Sequence, residues 1–225
     1  MPLGEVGRQE GHTYPGAMRI ELCDDRGDAG FSWIVDEPAT RTSHALASEG
    51  RVWLVDPVRD EDMLQRAGSL GRPAAVIQLV DRHNRDCAEI ATELNVSHLV
   101  VPDAVLDSPF EAIALTRNRA WRETALWWPA AHTLVVAEAL GTNEFFAAGP
   151  ETVGVHLLLR LTPPRDALGP LAPEHLLVGH GRGLHGPAAT DGLQRALEHS
   201  RGGLPRLLAR VPGLAADAIR RRRST

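Results

Sequence analysis

The sequence predicts an α/β fold: a sandwich of four layers, with two sheets face to face and helices on both outer sides. Three observations lead there. Short apolar stretches separated by turn-forming residues give two hairpins in the first quarter of the chain. A nearly continuous apolar run, Ala74–Val80, is followed by a polar loop, an amphipathic stretch and a second apolar run, the rhythm of a β-α-β unit. More hairpin-like stretches and then amphipathic segments follow, so two sheets have helices available to cover them.

The elements read in order as follows. Residues 1–18 are polar and Gly-rich and read as a loose arm; residues 19–225 read as one domain, with no repeat and no linker. Arg19–Cys23 and Phe31–Glu37 flank the turn-rich DDRGDAG and form the first hairpin. Ser43–Ala47 and Arg51–Val55 form the second, which ends at Asp56-Pro57. Asp60–Ala67 places Met63, Leu64 and Ala67 on one helical face and is expected to stop at Gly68. Ala74–Val80 reads as a strand buried on both faces, Cys87–Leu94 as a helix with Ile90, Ala91 and Leu94 inward, and Ser97–Val101 as a further buried strand beside the first. Phe110–Leu115, Glu123–Trp128 and Thr133–Ala137 are strand candidates. The last third reads as mostly helical. Thr152–Leu161 fits either period, Pro163-Pro164 breaks the chain, and His175–Val178 is a short strand leading into Gly179-His180-Gly181. Ala188–His199 and Leu204–Arg223, the latter interrupted by Pro212, close the chain as helices.

Composition excludes several function classes. With 43% apolar and 24% charged residues the chain is an ordinary globular sequence. No apolar run approaches the roughly 18–20 residues that span a bilayer, so no membrane partner is expected. A net charge of −5 argues against a nucleic-acid partner. Every basic residue is Arg, and the run Arg220–Arg223 reads as a solvated helix end, where positive charge suits the dipole. The first residues lack a basic segment followed by an apolar one, and Cys23 and Cys87 make no disulfide framework. A reduced, cytoplasmic protein is the expectation.

Sites in α/β folds lie beyond the carboxyl ends of buried strands. That rule selects Asp81–Cys87, the residues around Glu138-Ala139-Leu140, and Gly179-His180-Gly181. The stretch SHALASEGRVWLVDP, the strand–helix that follows and the later LLVGHG together resemble the metallo-β-lactamase fold superfamily, from about Arg41 to about His199. The resemblance implies the four-layer αββα sandwich of that family. It also implies a hydrolase-type centre, with the motif H-x-H-x-D-H after the apolar strand. Here that motif is degenerate and reads Arg82-His83-Asn84-Arg85-Asp86-Cys87.

Carried over position by position, the resemblance gives a divided centre. Arg82, Asn84 and Arg119 stand at the first site's ligand positions, and Arg cannot ligate zinc. The first metal site is therefore expected to be lost. Asp86, Cys87, Glu138 and His180 stand at the second site's positions and are ligands by type. Two readings follow. In the favoured one no metal is held, classical two-zinc hydrolase activity is absent, and Arg82 and Arg119 pair with Asp86 and Glu138. In the alternative those four residues hold one zinc or similar divalent ion. The centre is then a hydrolase for an ester, thioester, amide or phosphoester, with Asp86 as catalytic residue. A small-molecule ligand is compatible with both. His83, one residue out of register, and His185 are expected as supporting residues around the centre. Cys87, at a helix start, is either a nucleophile or an inert buried thiol. Trp121, Trp127 and Trp128 read as sheet-face packing and the glycines around His180 as a tight turn.

Overall fold

A computed structural model describes residues 19–83, 85–210 and 213 of the protein. The expectations for residues 1–18, Asn84 and Arg220–Arg223 lie outside the described residues. The first half of the chain supplies β1 (Ile20–Asp25), β2 (Gly30–Val35), β3 (Thr42–Ser48), β4 (Arg51–Val55), α1 (Glu61–Leu70), β5 (Arg72–Gln78), α2 (Cys87–Glu93) and β6 (Ser97–Val100). The strands form one six-stranded sheet in chain order, antiparallel from β1 to β4 and parallel across β4, β5 and β6.

The second half supplies β7 (Glu111–Arg117), β8 (Arg122–Trp128), β9 (Thr133–Val136), the short pair β10 (Leu140–Gly141) and β11 (Gly154–Val155), α3 (Arg165–Leu168), β12 (His175–Val178), β13 (Leu184–His185) and α4 (Pro187–His199). A five-stranded sheet runs in the order β13-β12-β9-β8-β7. Its β9 and β12 are parallel, so their carboxyl ends emerge side by side.

Alternation along the strands produces the layers, because successive side chains leave opposite faces. Trp53, Val55, Ala75 and Ile77 of the first sheet meet Leu126, Val135 and Leu177 of the second in one buried core. Their neighbours Val52, Leu54 and Val76 turn outward and pack with Ala67 of α1 and Cys87, Ile90 and Ala91 of α2. Leu134, Val136, Leu176 and Val178 turn the other way, onto Leu168 of α3 and Ala189, Leu193, Ala196 and Leu197 of α4. Three cores separate four layers, helix–sheet–sheet–helix, as expected.

Several boundaries move. α1 passes through Gly68 and ends before Gly71; Asp60 caps its start by accepting a hydrogen bond from the Met63 N–H. Gly68 costs the helix only about 1 kcal/mol against Ala, too little to stop it while Ala67 is buried. β6 pairs with β5 as expected, yet it is the sheet edge and no central strand, and Val100 is 48% exposed. The last third is more strand-rich than its amphipathic spacing suggested. Within Thr152–Leu161 lie β11 and a single 3-10 turn, Leu157–Leu159. Of the final helix, residues 204–210 are described and helical. Among the described residues no helix is long and apolar enough to cross a membrane.

Candidate metal centre

The loops after β5, β9 and β12 meet at one end of the sandwich. Parallel pairing brings the last two together, and the Gly179 N–H donates to Val136 O. Gly179 itself passes so close to β9 that a Cβ there would lie 2.3 Å from Ala137 O. Gly181 has φ +99°, which only glycine adopts at low cost. The Gly-His-Gly turn is therefore a steric requirement, and it fixes His180 over the end of β9.

His83, Glu138 and His180 converge. One ligand atom of each lies within 4.8 Å of the others, the only such group of His, Cys, Asp or Glu among the described residues. His180 Nδ1 lies 2.8 Å from Ala39 O, which can only accept. The ring therefore carries its proton on Nδ1 and presents a lone pair on Nε2, a buried atom with no hydrogen-bond partner. Burial, and then the nearby Arg85, push the His180 pKa down to about 4, so it is neutral at pH 7. His83 sits between two carboxylates: Nε2 is 3.6 Å from Glu138 Oε2 and Nδ1 is 3.9 Å from Asp56 Oδ2. Asp56 is buried at the end of β4 and accepts the Leu79 N–H.

Glu138 is held from three sides. Arg82 Nε donates to its Oε2 at 2.8 Å, while the Arg82 guanidinium lies 4.1 Å from the Trp121 ring centre. His156 Nε2 stands 3.9 Å from Oε1. Burial raises the Glu138 pKa, but Arg82, His83 and His156 outweigh it and the net shift is downward. Behind it, buried Glu123 accepts the N–H groups of Glu138 and Ala139 on Oε1 and the Trp121 indole N–H on Oε2. Burial pushes the Glu123 pKa up to about 7.

The ligand set expected from the sequence is thus half assembled. Glu138 and His180 meet; Asp86 and Cys87 stay out of the group. The Asp86 carboxylate is taken by the Arg59 N–H at 2.7 Å. Cys87 points into the core between α2 and the first sheet, 1% exposed, and burial raises its pKa. The α2 start turns these two residues away, and His83 fills the gap. Of the guanidinium pairings, Arg82 with Glu138 is present, whereas among the described residues no Arg side chain pairs with Asp86. Arg119 is exposed in the turn between β7 and β8. His185 lies on β13 against Asp24 and His175 and does not support His180. Trp121 and Trp128 are buried, as sheet-face packing requires.

Sequence reasoning missed Arg85, Asp56, Glu123 and His156. Arg85 donates to three main-chain oxygens, those of Thr42, Asp56 and Gly179, and so ties the ends of β3, β4 and β12 together. A signal existed for Asp56, in the Asp-Pro turn that ends the second hairpin. None marks Glu123, a lone acid at a strand start. His156 accepts the Leu158 N–H on Nδ1 at 3.2 Å, which leaves its proton on Nε2, facing the centre. Burial lowers its pKa and keeps it neutral. A pocket of about 320 Å³ opens beside the group, with Phe145, Phe146, Leu157 and Leu158 as its apolar wall and Glu138, His156 and His180 at its floor.

No protein-family model matches the chain, and no curated protein matches it. Solved structures do. A diflavin flavoprotein A 5 fragment from Nostoc sp. PCC 7120 superposes with a TM-score of 0.57 at 11% identity, over 83% of this chain and 98% of that one. TMB-1 superposes with a TM-score of 0.52 at 10% identity, over 85% and 98%. The DIM-1 metallo-β-lactamase matches over 81% and 97% at 12% identity, with a TM-score of 0.45. Two sheets between helices, with loops from the carboxyl ends of the strands meeting at one end, make this the metallo-β-lactamase fold, at low sequence identity to its structural neighbours.

Proposed function

We propose that the chain is a metallo-β-lactamase-fold protein whose two-metal centre is reduced to a single divalent-ion site, His83, Glu138 and His180. In this reading classical two-zinc hydrolysis is absent, because Arg82 and Asn84 stand where the resemblance puts the first site's ligands. The observation that carries this is the buried, unpartnered Nε2 of His180, aimed at a second imidazole and a carboxylate. Two nitrogens and one oxygen suit zinc. Ala39 O behind the His180 imidazole is the usual arrangement for a metal-bound histidine, while the Asp56 carboxylate stands 3.9 Å from His83 Nδ1, beyond hydrogen-bond reach.

A bound ion supplies Lewis acidity and activated water for an ester, thioester, amide or phosphoester. The chain's own residues do the rest. Glu138 is kept ionised by Arg82 and is positioned through its backbone by Glu123. His156 points an N–H into the pocket and can donate a hydrogen bond to charge developing on a leaving group. The apolar wall at Phe145, Phe146, Leu157 and Leu158 excludes water and takes an apolar part of a small-molecule substrate.

A second reading rests on the Arg82–Glu138 pair. There the guanidinium supplies the positive charge in place of an ion, and the pocket only binds. Elemental analysis of the purified protein separates the two. The single-ion reading expects His180→Ala to lose one equivalent of zinc and chelation to lower Tm. If zinc content is the same in wild type and His180→Ala, and chelation leaves Tm unchanged, the metal-free reading replaces it.

A further inference from the structure

We propose a second divalent-metal site at the opposite end of the sandwich, formed by His175 and His185. The two residues face each other across the β12–β13 pair, in direct register. Directly opposed side chains on one sheet face have Cβ atoms about 5 Å apart, a spacing that lets two imidazoles share one ligand. Here the Nδ1 atoms lie 2.9 Å apart.

The far side of His185 decides what lies between them. Its Nε2 is 3.0 Å from Oδ1 of Asp24, a buried carboxylate on β1 whose Oδ2 accepts the Gly183 N–H. Asp24 thus has a fixed position and can only accept, so His185 carries its proton on Nε2 and its Nδ1 lone pair accepts from the His175 Nδ1–H, a proton that a bound ion would replace. A carboxylate behind a histidine with its other nitrogen facing a second histidine is the arrangement that orients metal-binding imidazoles. Zinc, nickel and copper are the ions that favour such nitrogen pairs.

The surroundings suit a cation with open coordination positions. The pair lines an open pocket of about 580 Å³ that also exposes Glu174, Asp25 and His132. Asp25 is paired with Arg66 at 2.7 Å. Arg26 is a cation on the same wall that acts against positive charge at His175, and Asp24 is the carboxylate that opposes it. Glu174 and His132 line the same pocket but neither lies within 4.8 Å of both imidazoles, so water would fill the remaining positions.

The site bears on the first centre through the chain. His175 and His185 bracket the turn that carries His180, and β13 is only two residues long. An ion clamping the two strands would close that loop and hold the turn.

Zinc titration by calorimetry tests this in a His83→Ala/His180→Ala background, where the first centre is gone. About one equivalent should still bind, and adding His175→Ala should abolish it. In the otherwise native chain, Asp24→Asn should weaken this binding about tenfold through the lost orientation of His185. Histidine NMR should show zinc shifting the His175 and His185 ring signals. If the double variant does not fold, His180→Gln serves as the background. The proposal is overturned if zinc does not bind in that background, or binds equally with and without His175→Ala. Failure of the first centre reads differently: wild type and the His180 variants would then bind the same single equivalent, lost only with His175 or His185.

Discussion

His44 on β3 is buried with Ser32 Oγ 2.8 Å from its Nδ1, and burial pushes its pKa down to about 4. In the unfolded chain the ordinary value is about 6.5. Between those values the unfolded chain binds a proton that the folded chain does not, so stability falls as the pH drops through this window. The full effect is on the order of 3 kcal/mol. Urea midpoints between pH 7 and pH 4 should therefore fall less steeply for His44→Gln than for wild type; equal slopes would remove His44 from the acid sensitivity. At this scale the sequence was read well where residue type and loop agreed. Glu138 and His180 follow apolar strands and do meet. The exchange of His83 for Cys87 was not legible, because the direction of a side chain at a helix start depends on the backbone turn before it. Asp86 stands at the N-cap position with φ −81° but makes no side-chain cap bond, and its carboxylate accepts the Arg59 main-chain N–H instead.

Among the elements, three strand ends depend on one side chain. Arg85 binds the carbonyl oxygens of Thr42, Asp56 and Gly179, at 2.8 Å for Asp56 and 2.9 Å for Gly179, and Gly179 O also accepts the Thr42 N–H. Thr42 and Asp56 are buried, so these groups have little access to water in exchange. A buried polar group left unpaired costs about 1–3 kcal/mol. Arg85→Ala should lower stability by about 3 kcal/mol in chemical denaturation. Arg85→Lys should recover only part, since an ammonium lacks the planar fork that reaches three oxygens. Recovery to wild-type stability in Arg85→Lys would show that charge alone suffices. In the sequence Arg85 is one of many arginines, and its partners lie 29, 43 and 94 residues away. The strands themselves were legible from their apolar runs. The edge position of β6 was not, because a parallel edge strand under a helix has the same composition as a central one.

For the whole molecule, stability rests on filling the space between the sheets. Ile77 is fully buried there, against residues of both sheets. Ile77→Ala should cost about 2–5 kcal/mol, the range for deleting a large aliphatic side chain from a core that relaxes only in part. Guanidinium unfolding with a single transition would measure it, and a loss below 1 kcal/mol would mean that the two sheets close over the cavity.

The sequence by itself determined the class, the hairpins, the β-α-β unit and the carboxyl-end loops, because each is written in local periodicity and in Gly and Pro positions. The layering also followed from it, through alternation along strands and the resemblance of the motif region. Only the tertiary structure decided which side chains share the centre: His83 with Glu138 and His180, Glu123 behind them and Arg85 across three strand ends. It alone set His175 against His185 as well. Such groupings depend on register and backbone turns between residues distant in the chain, where a shift of one position exchanges one side chain for its neighbour.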